Sequence, residues 1–395
     1  MSKKKFPTRD EEQESASDLL LEQDGSLIAG TGFGKTRTLL MAYRKSIGCG
    51  ILPSRTLILV PFDHLKQRFM DEATGMGLDI KEVTLMCYAS IHTVDPSEYD
   101  LIICDEAHLG LTERCIQVYT AFKGIIWMST ATVPEDVLAR GYMLHRCPIR
   151  YHISLDTCVE RGYVSPYRII CASVELTATE QKDYKTVSAN FGYWKSRLGF
   201  DAFVSAHQII KSRTASKAEK EAAYGFFRAI RQRKGLVDHA ANKVTLSQRL
   251  CSTIKGRKLV FGGDNRFTAS LHKSLEGSRM YHSDMVKSES AQSLEDFKKG
   301  VSDILVSTKA LNQGLDIPDA SIGIICGLTS KALTMVQRIG RLVRIDPNDP
   351  KKTGLVVVLY VKDSQEQVWL ESALKHISSG NVTWTTAEEY LQDLV

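Results

Sequence analysis

The chain has 395 residues, 43% of them hydrophobic and 25% charged, with a formal net charge of +5 at pH 7. That balance fits a globular protein of two or three domains and excludes a low-complexity chain. No apolar run approaches the roughly 18–20 residues that span a bilayer, and the basic start Met1–Pro7 has no apolar stretch behind it. An intracellular protein without a membrane partner is expected: cytoplasmic, or in the host cytoplasm if phage-encoded, with a nuclear location left open. Nine scattered cysteines, none in a Cys-x-x-Cys pair, argue against a zinc site or a disulfide framework.

In chain order, Ser26–Ala29 reads as a short strand leading into Ala29-Gly-Thr-Gly-Phe-Gly-Lys-Thr36, and a helix opens from Lys35. Thr56–Pro61, Asp100–Cys104 and Gly124–Met128 are short apolar runs, suited to strands buried on both faces of a parallel sheet. Helix-like stretches such as Asp63–Ala73 lie between them. The pattern breaks near Arg161–Pro166. From Thr177 to about Ser252 the sequence is helical in character. Strand candidates then resume at Lys258–Phe261, Asp303–Ser307, Ile322–Cys326 and Leu355–Val361, with helices at Ser288–Lys299 and Thr334–Arg344. The last stretch, 364–395, reads as helices. The expected organisation is an α/β protein with two domains of parallel sheet flanked by helices: 1–160, a linker and basic helical insert over 161–257, a second α/β domain over 258–363, and a C-terminal helical tail over 364–395.

Charge is unevenly spread. Lys211–Lys258 holds thirteen Lys or Arg against three acids, so the remainder of the chain is net negative. A basic segment on such a body suggests a polyanion partner. Arg228, Arg231 and Arg233 lie there beside Tyr224, Phe226 and Phe227, as phosphate-gripping and base-stacking residues would; an amphipathic insert with aromatics in its own core fits equally well.

The chemistry is carried by four segments. In the first, Gly30, Gly32 and Gly34 let backbone N–H groups approach phosphates, with Thr31 between them, while Lys35 reaches the β- and γ-phosphates and the Thr36 hydroxyl holds Mg²⁺. The second is Asp105-Glu-Ala-His108, after an apolar strand, where a magnesium-binding acid of a P-loop ATPase belongs. The third is Thr130-Ala-Thr132. In the fourth, Gln337, Arg341 and Arg344 are spaced to share one helix face, as residues facing a γ-phosphate would.

The order of these motifs resembles the superfamily 2 helicases and translocases, specifically the group related to XPB and type III restriction subunits, from about Pro7 to Tyr360. The resemblance implies two RecA-like domains with ATP bound in the cleft between them. The first glycine of the general P-loop is Ala29 here, a variant typical of that family. Asp105 is implied to hold Mg²⁺, Glu106 to orient or deprotonate the attacking water, and His108 to couple the ATP site to Thr130 and Thr132; Val133 intervenes before the proline of that family motif. Arg341 and Arg344 become arginine-finger candidates and Gln337 a γ-phosphate or water contact. The segment Ser307–Pro318 resembles a further motif, with Thr308 near the nucleic acid backbone and Gly314 and Asp316 toward the ATP cleft. Arg9 and Gln13 stand where the family has an adenine reader; a solvated helix face fits them as well. Pro61 and Ser90 resemble strand contacts of the first domain. The expected activity is ATP-dependent movement on or remodelling of DNA, with ATP and Mg²⁺ as cofactors and DNA favoured over RNA. Forks or recombination intermediates are candidate substrates, as for compact phage-encoded relatives. An RNA helicase is the nearest rival and a nucleotide-gated clamp the more distant one. Protein partners cannot be read from the sequence.

Overall fold

The computed structural model describes residues 6–48, 50, 55–282, 284–308, 320–329, 342, 352–375 and 377–394. It divides into two compact units, with the break between Tyr167 and Arg168.

The first unit contains strands β1 (Gly25–Ala29), β2 (Thr56–Val60), β3 (Thr84–Cys87), β4 (Leu101–Cys104), β5 (Ile125–Thr130) and β6 (Ile149–Ile153). Its helices are α1 (Arg9–Asp18), α2 (Lys35–Gly48), α3 (Asp63–Gly75), α4 (Glu113–Ala121), α5 (Val137–Arg146) and α6 (Leu155–Glu160). The sheet order is β3-β2-β4-β5-β1-β6, and each pairing is parallel. Leu57, Ile58, Leu59 and Val60 on β2 are fully buried, as are Leu101, Ile102 and Ile103 on β4. This explains why these strands read as continuous apolar runs: helices cover both faces of the sheet. The order also puts β1, β4 and β5 side by side, so the loops leaving their carboxyl ends converge.

The second unit is built on β7 (Tyr167–Val174), β8 (Lys258–Phe261), β9 (Arg279–Tyr281), β10 (Ile304–Ser307), β11 (Ile322–Ile325), β12 (Gly354–Val361) and β13 (Val382–Thr386). Their order is β13-β7-β12-β11-β8-β10-β9. The β13–β7, β12–β11, β11–β8, β8–β10 and β10–β9 pairs are parallel. Helices α7 (Ala178–Leu198), α8 (Ala202–Lys211), α9 (Lys217–Asp238), α10 (Ala241–Thr253), α11 (Asn265–Ser274), α12 (Lys287–Lys298), α13 (Gln365–Leu374) and α14 (Ala387–Asp393) complete it.

Two features depart from the sequence reading. The stretch expected as linker and insert supplies β7, a strand inside the second sheet. The stretch expected as a helical tail supplies β13, whose Val382–Thr386 pairs with Ile169–Ser173. Val382–Thr386 is a short, largely exposed edge strand, so it lacks the apolar run that marks a central one.

Helices α7, α8 and α9 form an arm with its own core. Ala206, Ala222, Ala223 and Phe226 are buried there, with Phe191, Trp194 and Phe227 packed against them. Arg233 locks α9 to α7. Its guanidinium lies over the Phe191 ring at 4.5 Å and the Tyr184 ring at 5.6 Å, and it donates to the hydroxyls of Ser188 and Tyr184. The two helices approach closely at Gly225, where an added Cβ would stand 2.4 Å from the Trp194 ring. Replacing that glycine gains helix propensity, but a valine gains little and overpacks the seam. Gly225→Val is therefore expected to lower stability by about 1–3 kcal/mol in urea unfolding. A variant as stable as the parent would show that the arm is not packed this way.

Candidate functional site

The loop after β1 is shaped by close approaches that a side chain would prevent. Gly32 and Gly34 take φ of 93° and 98°, in the left-handed region. A Cβ on Gly34 would sit 2.2 Å from the Gln13 amide nitrogen, and one on Gly32 would sit 2.5 Å from Val164. Gln13, buried on α1, donates its Nε2 to the Phe33 carbonyl, so α1 grips the loop directly. Its Oε1 is buried without a hydrogen-bond partner among the described residues. Arg9, one turn earlier, is exposed.

Phe33 itself is fully buried, with its ring 5.7 Å from that of Tyr151 and 6.4 Å from that of Tyr163. Both tyrosines donate to Glu12, at 2.5 Å and 3.1 Å, and Arg161 pairs with the same carboxylate. Burial alone would raise the proton affinity of Glu12, but these three donors hold it below the ordinary range. Glu12, Tyr151, Arg161 and Tyr163 escaped the sequence reading. The one signal for them is an aromatic at a variable position of the glycine loop, which needs an apolar seat.

Lys35 and Thr36 open α2. The Lys35 ammonium is buried, 3.4 Å from the Ala29 carbonyl and 3.7 Å from Glu106 Oε1. The Thr36 hydroxyl donates to Asp105 Oδ2 at 3.0 Å. Asp105 follows β4 directly. Its other oxygen accepts from the Ser129 hydroxyl at 2.7 Å and the Glu106 N–H at 3.0 Å. Ser129 is a fifth residue the sequence reading missed, although the polar Ser-Thr end of an apolar strand marks it. Burial and the neighbouring Glu106 carboxylate together raise the proton affinity of Asp105. A carboxylate and a threonine hydroxyl, in a spot where negative charge is penalised, make a donor set that fits a small hard cation such as Mg²⁺.

Glu106 is one of three non-glycine residues with positive φ among the described residues, at 48°. That turn re-aims the chain at the end of a buried strand. Glu106 Oε2 lies 3.6 Å from His108 Nδ1 and has no hydrogen-bond partner among the described residues. His108 Nδ1 is also 3.1 Å from the Thr130 hydroxyl, which donates to the Thr132 carbonyl at 3.0 Å. A continuous path thus runs from Lys35 through Glu106 and His108 to Thr130 and Thr132.

Pro61 and Ser90 are half-buried near one surface cavity of about 640 Å³, lined by Pro61, Phe62, Tyr88, Ala89, Thr112 and Arg114. Ser90 itself is not among its lining residues. Tyr88 also reaches the Asp105 loop, since its buried hydroxyl donates to the Asp105 carbonyl at 2.8 Å. In the second unit Thr308 is buried and its hydroxyl donates to Asn265 Oδ1 at 2.8 Å. Arg228 and Arg231 are exposed on α9, whereas Arg233 is committed to α7 and Phe226 to the arm's core. Gly314, Asp316, Gln337, Arg341 and Arg344 lie outside the described residues. Gly30 and Thr31 complete the loop; Gly30 packs on the backbone of Leu155 at the start of α6. No helix among the described residues is long and apolar enough to cross a membrane.

Residues 242–346 match the helicase conserved C-terminal domain. Over 365 residues the chain is 25% identical to the DNA 3'-5' translocase XPB2 of Sulfurisphaera tokodaii, spanning 87% of this chain and 80% of that protein. Among solved structures it resembles Saccharomyces cerevisiae Dbp5 bound to RNA and ADP BeF3 (TM-score 0.60, 15% identity, covering 97% of this chain and 92% of that one). It also resembles the Hef helicase domain of Pyrococcus furiosus (TM-score 0.55, 15% identity, covering 92% and 98%). These likenesses match its two α/β units to the tandem RecA-like fold.

Proposed function

We propose that this chain, which belongs to the superfamily 2 helicases and translocases and hydrolyses ATP in a nucleic-acid-dependent way, uses that hydrolysis to move along or remodel DNA. The observation that carries the catalytic half is the pairing of Thr36 with Asp105, with Glu106 beside Lys35. Support for DNA comes from the relative named as a DNA translocase, whose likeness runs through most of both chains. The RNA-bound Dbp5 structure is a likeness of fold alone and keeps an RNA helicase as the second reading.

In this reading the N–H groups of the glycine loop and Lys35 bind the phosphates, and the buried Gln13 Oε1 meets the adenine edge. Arg9, at the exposed start of α1, is kept as its companion. Thr36 and Asp105 would hold Mg²⁺, which when bound neutralises charge between the phosphates. Glu106 orients the attacking water and accepts its proton. His108, Thr130 and Thr132 relay the state of the site to the rest of the first unit. Gln337, Arg341, Arg344, Gly314 and Asp316 take their assignment from the family resemblance. Pro61, Ser90 and Thr308 are assigned to the strand backbone; the cavity bordered by Pro61 offers room for such an interaction in the first unit.

The test is the steady-state ATPase rate with no nucleic acid, single-stranded DNA, forked DNA and matched RNA. Stimulation by DNA and not RNA is expected. Stimulation by RNA alone promotes the second reading, and none by either leaves a gated clamp. On α9, Arg228 and Arg231 contribute exposed charge. Neutralising both is expected to flatten the salt dependence of binding by roughly 0.7–0.9 in log–log slope for each phosphate that the arginines had neutralised. An unchanged slope would remove them from the interface.

A further inference from the structure

The arm ends in a surface that the fold does not explain. Helix α7 has 21 residues, so it reaches about 30 Å along its axis. At its base, Tyr184 on α7 and Val237 at the end of α9 pack near Val361 of the sheet. Its other end is the turn Gly199-Phe200-Asp201 and the start of α8. Gly199 takes φ of 83°, a backbone conformation that residues with a side chain rarely adopt. Phe200 is 100% exposed there, with Phe203 at 57% and Val204 at 52%. Phe203 is seated edge-on against Phe227 and His207, which fixes its ring while leaving more than half of it in water. A fully exposed phenylalanine contributes no buried area to the free protein.

The surroundings select the occupant. From Lys195 to Lys217 five basic residues (Lys195, Arg197, Lys211, Arg213 and Lys217) stand against one acid, Asp201. Along α9, Lys217, Tyr224, Arg228 and Arg231 fall at spacings that share a helix face, and Tyr224, Arg228 and Arg231 are exposed. Exposed apolar rings on an arm rich in cations match a strand that carries both stacking faces and phosphates.

We infer that Phe200, supported by Phe203, is a stacking wedge that packs on unpaired nucleobases where a duplex opens, while the basic residues of the arm follow the adjoining backbone. This rests on the reading of the protein as a nucleic acid motor. It adds a recognition element that the motor residues do not contain: preference for a junction over a uniform duplex. The interaction is non-covalent and independent of base identity, because every base offers a π-face.

The experiment uses the full chain without nucleotide and measures binding to a DNA fork carrying 2-aminopurine at its first unpaired positions, to the matched RNA fork, and to a blunt duplex. The parent protein is expected to bind the fork and quench the probe. Phe200→Ala should weaken fork binding by roughly fivefold or more and abolish the quench, with duplex binding changed less than about twofold. Its salt slope should not move, since no charge is removed. Phe200→Tyr should restore both signals. Because Phe200 touches solvent only, folding of the variant is checked by circular dichroism, and Phe203→Ala gives a second, weaker loss. Equal affinity and quench in Phe200→Ala would overturn the wedge and leave the patch to a protein partner. A parent that binds the fork without quenching overturns this inference alone. A parent that binds neither fork nor duplex removes the motor reading with it. The RNA arm shows which polynucleotide supplies the bases.

Discussion

Glu106→Gln is expected to cut ATP turnover by about 10²–10⁴-fold while leaving ATP binding within a few-fold of the parent. The reasoning starts from the backbone. A glutamate in the left-handed region costs on the order of 1–3 kcal/mol, and such strain persists where surrounding structure over-determines it. Here the residue follows Asp105, itself pinned by Ser129 and Thr36, and precedes a tight turn whose His108 reaches Thr130. The side chain is held between Lys35 and His108, with Oε2 buried and unbonded. A glutamine fits the same volume and keeps the turn, but it cannot accept a proton. On the proposed reading, binding rests on the glycine loop and Lys35, which the substitution leaves in place. Steady-state hydrolysis beside titration with a fluorescent ATP analogue separates the two effects. Lys35→Ala is the contrasting variant, since it is expected to lose both. If Glu106→Gln hydrolyses ATP as fast as the parent, the base lies elsewhere.

The geometry of that site was legible in the sequence wherever the chain places chemistry next to a strand end. The Gly-Lys-Thr pattern marks the loop after Gly25–Ala29 and an acidic pair marks the end of Leu101–Cys104; both follow strands that are legible because a buried parallel strand is a continuous apolar run. What supports the site was not legible. Glu12 and Arg161 are separated by 149 positions, and nothing local in either links them to Phe33. The same holds for β13, which finds β7 across most of the second unit. Long-range pairings of exposed or half-polar segments leave no periodic trace, so only the folded chain reveals them. In the basic insert, composition marked the charge correctly, but it gave Arg228, Arg231 and Arg233 one role. Burial separates them: Arg233 stacks on Phe191, and the other two face water.

The second large effect concerns stability. Lys243 on α10 and Glu366 on α13 are both fully buried, and the ammonium donates to the two carboxylate oxygens at 2.7 Å and 2.8 Å. The Val361 N–H adds a third hydrogen bond to the same carboxylate at 2.9 Å, so the pair ties α10 and α13 to the end of β12. Desolvation makes such a pair a modest net gain when whole, but losing one partner strands a charge in a medium that cannot solvate it. Lys243→Met is therefore expected to destabilise the second unit by about 3–5 kcal/mol in urea unfolding at neutral pH. The double variant Lys243→Met/Glu366→Leu should recover most of that loss, because no charge is left behind. The pH dependence follows from the carboxyl. Burial raises the proton affinity of Glu366 in the fold, and removing the lysine takes away the main opposing influence. A carboxyl that binds its proton more tightly when folded favours the fold at low pH. The penalty of Lys243→Met should thus be smallest below the unfolded-chain value near ~4.3, and should grow as pH rises toward the elevated folded value. Unfolding midpoints of parent, single and double variants at pH 5 and pH 8 measure this directly. A single variant as stable as the parent at both pH values would mean that the pair is open to water, contrary to its burial.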